Sequence, residues 1–220
     1  MASLADLLKK IANNAKLTPQ ELDELGRFGT ETQQRNAFVA ENITAQNSLN
    51  ITFPFYPIYS EVMQSDTASV DIVVPQNTKN LFVVINGRIT AATTADFVLA
   101  RFNNDSGSNY KWAYEGANGT TQTAQQGSGT SYLILGDLSG TSIAANYAGS
   151  VIAWILNCKS NLYKTVICNQ TVSIWDGGGN TFTAMESGTW LSTATINTVK
   201  IYPALGNFLA GTNISIYSMI

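Results

Sequence analysis

The sequence contains no histidine among its 220 residues and has only two cysteines. The absence of histidine excludes Ser-His-Asp and Cys-His catalysis, the common zinc sites and any imidazole proton shuttle. A pair of carboxyl groups could still catalyse glycoside hydrolysis. The acidic residues, however, stand singly in strand-end or turn contexts, where solvated carboxylates are expected. The sequence therefore favours a protein that is not an enzyme and has no catalytic residues, cofactor or metal ion.

Charge is also scarce, because Lys, Arg, Asp and Glu make up only 12% of the residues, against roughly 25% in ordinary soluble domains. Asn, Thr, Ser, Gln and Gly are abundant instead, and such uncharged polar residues suit exposed strand faces, tight turns and subunit contacts. The net charge of −3 leaves no cluster of Lys and Arg of the kind that binds phosphate backbones. Nucleic acid is therefore not an expected partner.

The first ten residues, MASLADLLKK, lack the basic stretch of a secretory signal and carry Asp6 among their apolar residues. No apolar run in the sequence reaches the length that crosses a membrane, so membrane insertion is not expected. We expect synthesis in a cytoplasm, where Cys158 and Cys168 would be buried thiols rather than a disulfide.

Residues 1–49 have the pattern of a helical anchor followed by a linker. Apolar residues recur at helical spacing over residues 3–15, and Thr18, Pro19 and Glu21 then have the positions of a capped helix start. A helix this short is marginal in water by itself, so its apolar stripe should bind partner helices or a docking groove. The candidate partner-binding residues of the anchor are Leu4, Leu7, Leu8, Ile11, Leu17 and Leu22.

From Asn50 onward, short β-branched and aromatic runs are separated by Gly, Asn, Asp and Ser. This pattern predicts a mainly β fold, an antiparallel β-sandwich that occupies residues 50–220. The predicted strands lie near residues 51–63, 69–74, 80–90, 96–103, 110–115, 130–136, 150–158, 163–175, 181–191, 196–202 and 212–219.

The hairpin predicted around Ser160–Asn161 carries apolar residues on both faces. In the register that this turn sets, Trp154 lies opposite Ile167 on one face. Ile155 lies opposite Val166 on the other face. One face can belong to the core, so the other needs cover from the N-terminal helices, a long loop or a neighbouring subunit.

Two further segments each admit two interpretations. The segment Asn103–Asn109 has alternate oxygen donors and a glycine, as a Ca²⁺ loop does, but it lacks a second acidic ligand, which favours a hydrogen-bonded turn. Tyr110, Trp112 and Tyr114 alternate along one predicted strand, where they are either core residues or surface residues that contact a sugar. The core interpretation is the favoured one.

The stretch ADFVLARFNNDSGSNY at residues 95–110 resembles a β-sandwich module found in virion proteins of tailed bacteriophages. The stretch from Gly188 to Tyr217 resembles the same module, with a Gly-Asn-Phe-x-Ala-Gly turn before the final strand. The Leu-Thr-Pro-x-Glu-Leu segment at residues 17–22 is similar to the N-terminal attachment segment of phage fibre-like proteins.

This resemblance implies a jelly-roll-like sandwich that assembles as an oligomer, often a trimer, on the tail, its fibres or the capsid surface. No catalytic residues carry over from it. The expected function is that of a virion structural protein, a tail-associated fibre or receptor-binding appendage anchored by its N-terminal helices. The alternatives are a capsid decoration protein and a carbohydrate-binding, lectin-like module. The expected partners are copies of the chain in a homotrimer, other virion proteins and a host surface glycan.

Overall fold

The computed structural model of the protein describes residues 55–172 and 181–220, together with Lys10 and Thr18. The chain divides into two units, Met1–Phe53 and Pro54–Ile220, and the described strands all belong to the second unit. Among the described residues, no helix has the length and hydropathy needed to cross a membrane. The anchor helices expected from the sequence lie outside the described residues and stay a prediction. The same holds for their candidate partner-binding residues, which are Leu4, Leu7, Leu8, Ile11, Leu17 and Leu22.

Twelve β-strands make up the described part of the second unit. In chain order they are β1 (Tyr56–Val62), β2 (Val70–Val73), β3 (Asn80–Gly87), β4 (Ala95–Phe102), β5 (Tyr110–Asn118), β6 (Thr121–Thr130), β7 (Leu133–Ser139), β8 (Gly149–Leu156), β9 (Lys164–Val172), β10 (Phe182–Trp190), β11 (Thr198–Pro203) and β12 (Asn213–Met219). Eleven of them coincide with predicted strand segments, whereas β6 lies where no strand is predicted.

These strands form two sheets that pack on each other as a sandwich. The larger sheet has eight strands in the order β1-β12-β3-β8-β9-β10-β5-β6, and the smaller sheet has four in the order β2-β11-β4-β7. Every pairing between neighbouring strands is antiparallel. Strand β7 of the smaller sheet packs against β8, β9 and β10 of the larger one. The mainly β, antiparallel sandwich expected from the sequence is confirmed.

The core lies between the two sheets and is built by alternation along each strand. Strands β8, β9 and β10 bury every second residue and leave the others half-buried or exposed, as strands with one face on a core do. Val83 and Ile155 of the larger sheet and Phe102 of the smaller sheet have no exposed surface. Cys158 and Cys168 belong to this core as free, buried thiols, as predicted.

The β8–β9 hairpin has the predicted register. Trp154 lies opposite Ile167, and Ile155 lies opposite Val166. Ile155 and Val166 are buried in the core, whereas Trp154 is half-buried and Ile167 is 42% exposed on the other face. The larger sheet therefore has an outward face with apolar residues that the sandwich core does not cover.

The Asn103–Asn109 segment is a hydrogen-bonded turn between β4 and β5. Asp105 closes it, because its Oδ1 accepts a hydrogen bond from the Gly107 backbone N–H at 2.8 Å and its Oδ2 accepts one from Asn109 Nδ2 at 2.9 Å. The indole N–H of Trp190 donates a third hydrogen bond to Oδ2 at 2.7 Å. Burial acts to raise the pKa of Asp105, but these hydrogen bonds, with that from Trp190 first, lower it below its ordinary value. The segment therefore has the hydrogen bonds of a closed turn.

Candidate functional site

The outward face of the larger sheet is the candidate functional site. Directly opposite residues on this face form rows that cross seven strands in the order β12, β3, β8, β9, β10, β5 and β6. The first row is Tyr217, Phe82, Trp154, Ile167, Ser187, Ala113 and Gln126. The second row is Ser215, Val84, Ile152, Asn169, Met185, Glu115 and Ala124. The first row is aromatic at its β12 end and polar at its β6 end.

At the β12 end of the face, four side chains form an aromatic cluster that consists of Phe55, Phe82, Trp154 and Tyr217. The ring centroids of Phe82 and Trp154 are 4.6 Å apart, and those of Phe82 and Tyr217 are 6.1 Å apart. Phe55 lies 5.6 Å from Phe82 and 6.0 Å from Trp154, and it is itself 38% exposed. Aromatic pairs at such distances stabilise one another beyond the area they bury. Phe55 therefore shields part of the other rings from solvent.

At the β6 end, over β9, β10, β5 and β6, the outward face forms a shallow polar groove. It consists of two adjoining depressions of about 600 and 560 Å³, which share Glu115, Ala124 and Met185. Sites for small molecules have volumes of roughly 300–1,000 Å³, so each depression is of that size. The outward side chains of the polar groove are Ala113, Glu115, Ala117, Gln122, Ala124, Gln126, Ile167, Asn169, Thr183, Met185 and Ser187.

Five of the outward side chains of the groove are polar and uncharged. They carry amide or hydroxyl groups that can both donate and accept hydrogen bonds, and they are Gln122, Gln126, Asn169, Thr183 and Ser187. None of these five side chains hydrogen-bonds another described residue. Met185 and Ile167 add apolar contacts, with 60% and 42% of their surfaces exposed. Glu115 carries the single ionisable group among the outward side chains of the groove.

Two buried carboxyl groups lie on the inward side, between the sheets. Glu186 of β10 is 2% exposed, and neither of its carboxyl oxygens has a hydrogen-bond partner among the described residues. Asp137 of β7 accepts a hydrogen bond at its Oδ2 from Gln170 Nε2 at 2.6 Å. Burial raises the pKa of Glu186 to about 8 and that of Asp137 to about 7. Within residues 55–172 and 181–220, no three Cys, Asp or Glu side chains are grouped so as to hold a metal ion.

The three aromatic residues singled out in the sequence lie on the inward side of β5, opposite to the groove. Tyr110 has no exposed surface, and its hydroxyl oxygen accepts a hydrogen bond from the Phe102 backbone N–H at 3.0 Å. A sugar contact by Tyr110 is therefore excluded by its burial. Trp112 and Tyr114 are half-buried, with parallel rings 6.4 Å apart, and the Trp112 indole lies over Gly127 of β6. The favoured core interpretation describes all three better than a surface role.

None of the outward side chains of the polar groove is among the sequence-based candidates. Asn169, Met185 and Glu115 come from three strands that become neighbours only through the order β9-β10-β5. One feature of the sequence could have indicated the groove. Met185 is a large apolar residue on the outward side of an alternating strand, where its neighbours Thr183 and Ser187 are polar.

No family model matches the sequence, and the search of curated proteins found no match. Among solved structures, it is similar to the CBM40 of the Ruminococcus gnavus IT-sialidase, with 8% identity, 74% of this chain and 94% of that chain covered, and a TM-score of 0.30. The same CBM40 bound to α2,3-sialyllactose gives 8% identity, 75% and 95% coverage and a TM-score of 0.31. Arcelin-5, a lectin-like defense protein from Phaseolus vulgaris, gives 10% identity, 69% and 77% coverage and a TM-score of 0.17. These likenesses are too loose to assign the chain to a family.

Proposed function

We propose that the sandwich is a non-catalytic binding module and that the polar groove binds a carbohydrate. The observation that carries this proposal is the pairing of five amide and hydroxyl side chains, which hydrogen-bond no other described residue, with two exposed apolar ones on a single concave surface. Sugars present hydroxyl groups that both donate and accept hydrogen bonds, which the amides and hydroxyls match. Sugars also present C–H faces, which Met185 and Ile167 can pack against.

The dimensions of the groove suit a short oligosaccharide. Its lining runs from β9 to β6, which is three strand spacings of about 4.8 Å, or roughly 14 Å across the sheet. Because both depressions are shallow, a ligand would keep one side in solvent and bury only part of its surface. We therefore expect weak binding at a single site, with a Kd of roughly 10 μM to 1 mM, strengthened by avidity when several copies bind together.

The groove lacks the carboxyl pair that glycoside hydrolysis requires. Such enzymes place two carboxyl groups roughly 5–9.5 Å apart on either side of the scissile bond. Glu115 supplies one carboxylate to the outward side of the groove, whereas Glu186 belongs to the inward side of β10 and is buried. The chain also has no histidine to act as a general acid or base. Binding without turnover is the activity that these residues support.

A glycan array followed by titration calorimetry on the full chain tests the proposal. We expect Asn169→Ala and Met185→Ala each to weaken the binding of an array-positive oligosaccharide by about tenfold, which is 1.4 kcal/mol. The matched control is Asn161→Ala, which truncates an exposed amide in the β8–β9 turn, away from the groove. Failure of the full chain to bind any glycan on the array would overturn the proposal.

A second candidate function, assembly into a bacteriophage particle, is favoured by the apolar end of the outward face. Ile152 is 42% exposed in the second row, beside the aromatic cluster in the first row. An exposed patch of aromatic and aliphatic side chains suits contact with another protein surface. The resemblance of residues 95–110 and of the C-terminal stretch to virion proteins supports the same candidate. The two candidates are compatible, because a receptor-binding appendage anchors to a virion and binds a host glycan.

Light scattering on the full chain at micromolar concentration tests assembly. We expect an oligomer, with a trimer as the specific expectation, and dissociation in the variant Ile152→Asp. Thr171→Asp is the matched control, because it places the same charge on the outward face outside the apolar patch. A folded monomer in solution, combined with absence of the chain from purified phage particles, would contradict the virion candidate.

A further inference from the structure

We propose that the polar groove selects uncharged carbohydrates over carboxylated ones, and that Glu115 is the residue that sets this selectivity. The inference rests on the proposed function, because it names the class of carbohydrate that the same groove binds. It follows from the distribution of charge and of hydrogen-bonding groups around Met185.

Glu115 occupies the centre of the groove. It lies opposite Met185 of β10 on one side and Ala124 of β6 on the other, and both depressions share it. Its side chain is exposed, and no Lys or Arg lines either depression. A ligand in either depression therefore meets a carboxylate that no cation of the groove compensates.

Lys111, the cation of β5 on the same face, does not compensate the charge of Glu115. Lys111 precedes Glu115 by four residues along β5, so their Cα atoms are about 13 Å apart at roughly 3.3 Å per residue, with Ala113 between them on this face. Exposed charges separated by more than the Debye length of about 8 Å at physiological ionic strength are largely screened from each other. The groove therefore presents a net negative charge to its ligand.

A carboxylated sugar would lose affinity in such a groove for two reasons. Proteins hold carboxylates mainly through charge-assisted hydrogen bonds from Arg or Lys, and neither residue lines the groove. A ligand carboxylate bound beside Met185 would in addition lie next to the Glu115 carboxylate and be repelled by it. At contact distance near a protein surface, this repulsion corresponds to binding that is at least about tenfold weaker.

For an uncharged sugar, the same carboxylate is a favourable partner. Asn169, Met185 and Glu115 lie side by side in one row across β9, β10 and β5. Because neighbouring strands are about 4.8 Å apart, the amide and the carboxylate flank Met185 on both sides at that spacing. A sugar ring packed on Met185 would present hydroxyl groups to Asn169 on one side and to Glu115 on the other. An ionised carboxylate is an acceptor only, so it matches hydroxyl donors of the ligand.

An array of paired glycans, each present in a neutral form and with a terminal sialic acid, tests the inference on the full chain. The pairs include lactose and α2,3-sialyllactose, and pairs that bind are quantified by titration calorimetry. We expect the wild-type chain to bind neutral members at least tenfold more tightly than their sialylated partners. We expect Glu115→Gln to reduce this ratio to about threefold or less, and Glu115→Lys to invert it. Asp71→Asn, which removes an exposed carboxylate from the smaller sheet, should leave the ratio unchanged.

The outcomes separate the two proposals. Equal or tighter binding of sialylated members by the wild-type chain would overturn the selectivity and leave carbohydrate binding in place. A preference for neutral glycans that persists in Glu115→Gln and Glu115→Lys would overturn the role of Glu115. An array on which the wild-type chain binds no glycan would overturn the proposed function and this inference with it.

Discussion

The two ends of the outward face share one backbone register but hold their side chains in different ways. At the aromatic cluster, each ring contacts other rings, and the Phe82 and Trp154 centroids are 4.6 Å apart. At the polar groove, side chains such as Asn169 and Gln126 make no hydrogen bonds to other described residues. Because the strand pairing is the same at both ends, side-chain composition alone makes one end cohesive and leaves the other open.

The inward side of the larger sheet also differs between the two ends, in the polarity of its buried residues. Behind the aromatic cluster, β3 contributes the fully buried aliphatic residues Leu81 and Val83. Behind the groove, β10 and β9 contribute Glu186 and Gln170, which are buried polar residues. Burial of a polar group without hydrogen bonding costs free energy, and this applies to Glu186, whose carboxyl oxygens have no partner among the described residues.

The largest expected effect is the difference in stability between truncating a side chain in the aromatic cluster and truncating one in the polar groove. Trp154→Ala removes a ring that packs against Phe55 and Phe82, and we expect it to lower the free energy of unfolding by about 2–3 kcal/mol. Met185→Ala truncates a side chain that is 60% exposed, and we expect a change below about 0.5 kcal/mol. Urea denaturation followed by circular dichroism measures both. Equal losses in the two variants would show that the ends are equally cohesive.

A smaller effect concerns the carboxyl groups behind the groove. Burial raises the pKa of Glu186 to about 8, so the native state keeps a proton that the unfolded state releases once the pH exceeds its ordinary value of 4.5. The free energy of unfolding should therefore fall as the pH rises from about 4.5 to 8. Asp137 acts in the same direction up to a pH of about 7, where its own raised pKa lies. The protein should be most stable in mild acid.

Glu186→Gln removes the ionisable group while keeping nearly the same volume. We expect this variant to lose less stability than the wild type between pH 5 and pH 9. Glu115→Gln is the matched control, because it removes an exposed carboxyl group from the outward side of the same sheet and should keep the wild-type slope. Parallel slopes for the wild type and Glu186→Gln would show that Glu186 does not carry the proton.

The smallest expected effect is that of Ca²⁺, because neither the Asn103–Asn109 turn nor the polar groove offers a set of free carboxylates. The Asp105 carboxylate already accepts hydrogen bonds from Gly107, Asn109 and Trp190, and Glu115 is the single carboxylate on the outward side of the groove. Millimolar Ca²⁺ should therefore leave the Tm unchanged. The test is sensitive, because a ligand that binds the native state at a hundred times its Kd would stabilise the fold by about 2.7 kcal/mol. A rise in Tm that Asp105→Ala abolishes would place a metal ion at the turn.

Strand positions were predictable from the sequence where one face is buried. The β8–β9 register, with Trp154 opposite Ile167, followed from alternating apolar residues on either side of a short turn. Strand β6 was missed because Thr121–Thr130 contains no large apolar residue. It is an edge strand whose residues are half-buried or exposed, so no periodic burial marks it.

The groove was not predictable, because it depends on strand order rather than on strand identity. Strand β10 pairs with β5, which lies far before it in the chain, and no local pattern encodes that pairing. Alternation correctly placed Tyr110, Trp112 and Tyr114 on one face of β5. It also favoured the core for that face, because the opposite face carries Lys111, Ala113, Glu115 and Ala117 and no aromatic residue.

The continuous rows across seven strands have an evolutionary consequence. Side chains on a strand alternate between its two faces, so an outward residue can be replaced without moving the inward residues beside it. Exposed substitutions usually change stability by less than about 0.5 kcal/mol, which most domains tolerate. A lineage of such proteins can therefore exchange one ligand for another through a few mutations on β5, β6, β9 and β10, while the aromatic cluster, whose rings depend on each other, would have to change as a group.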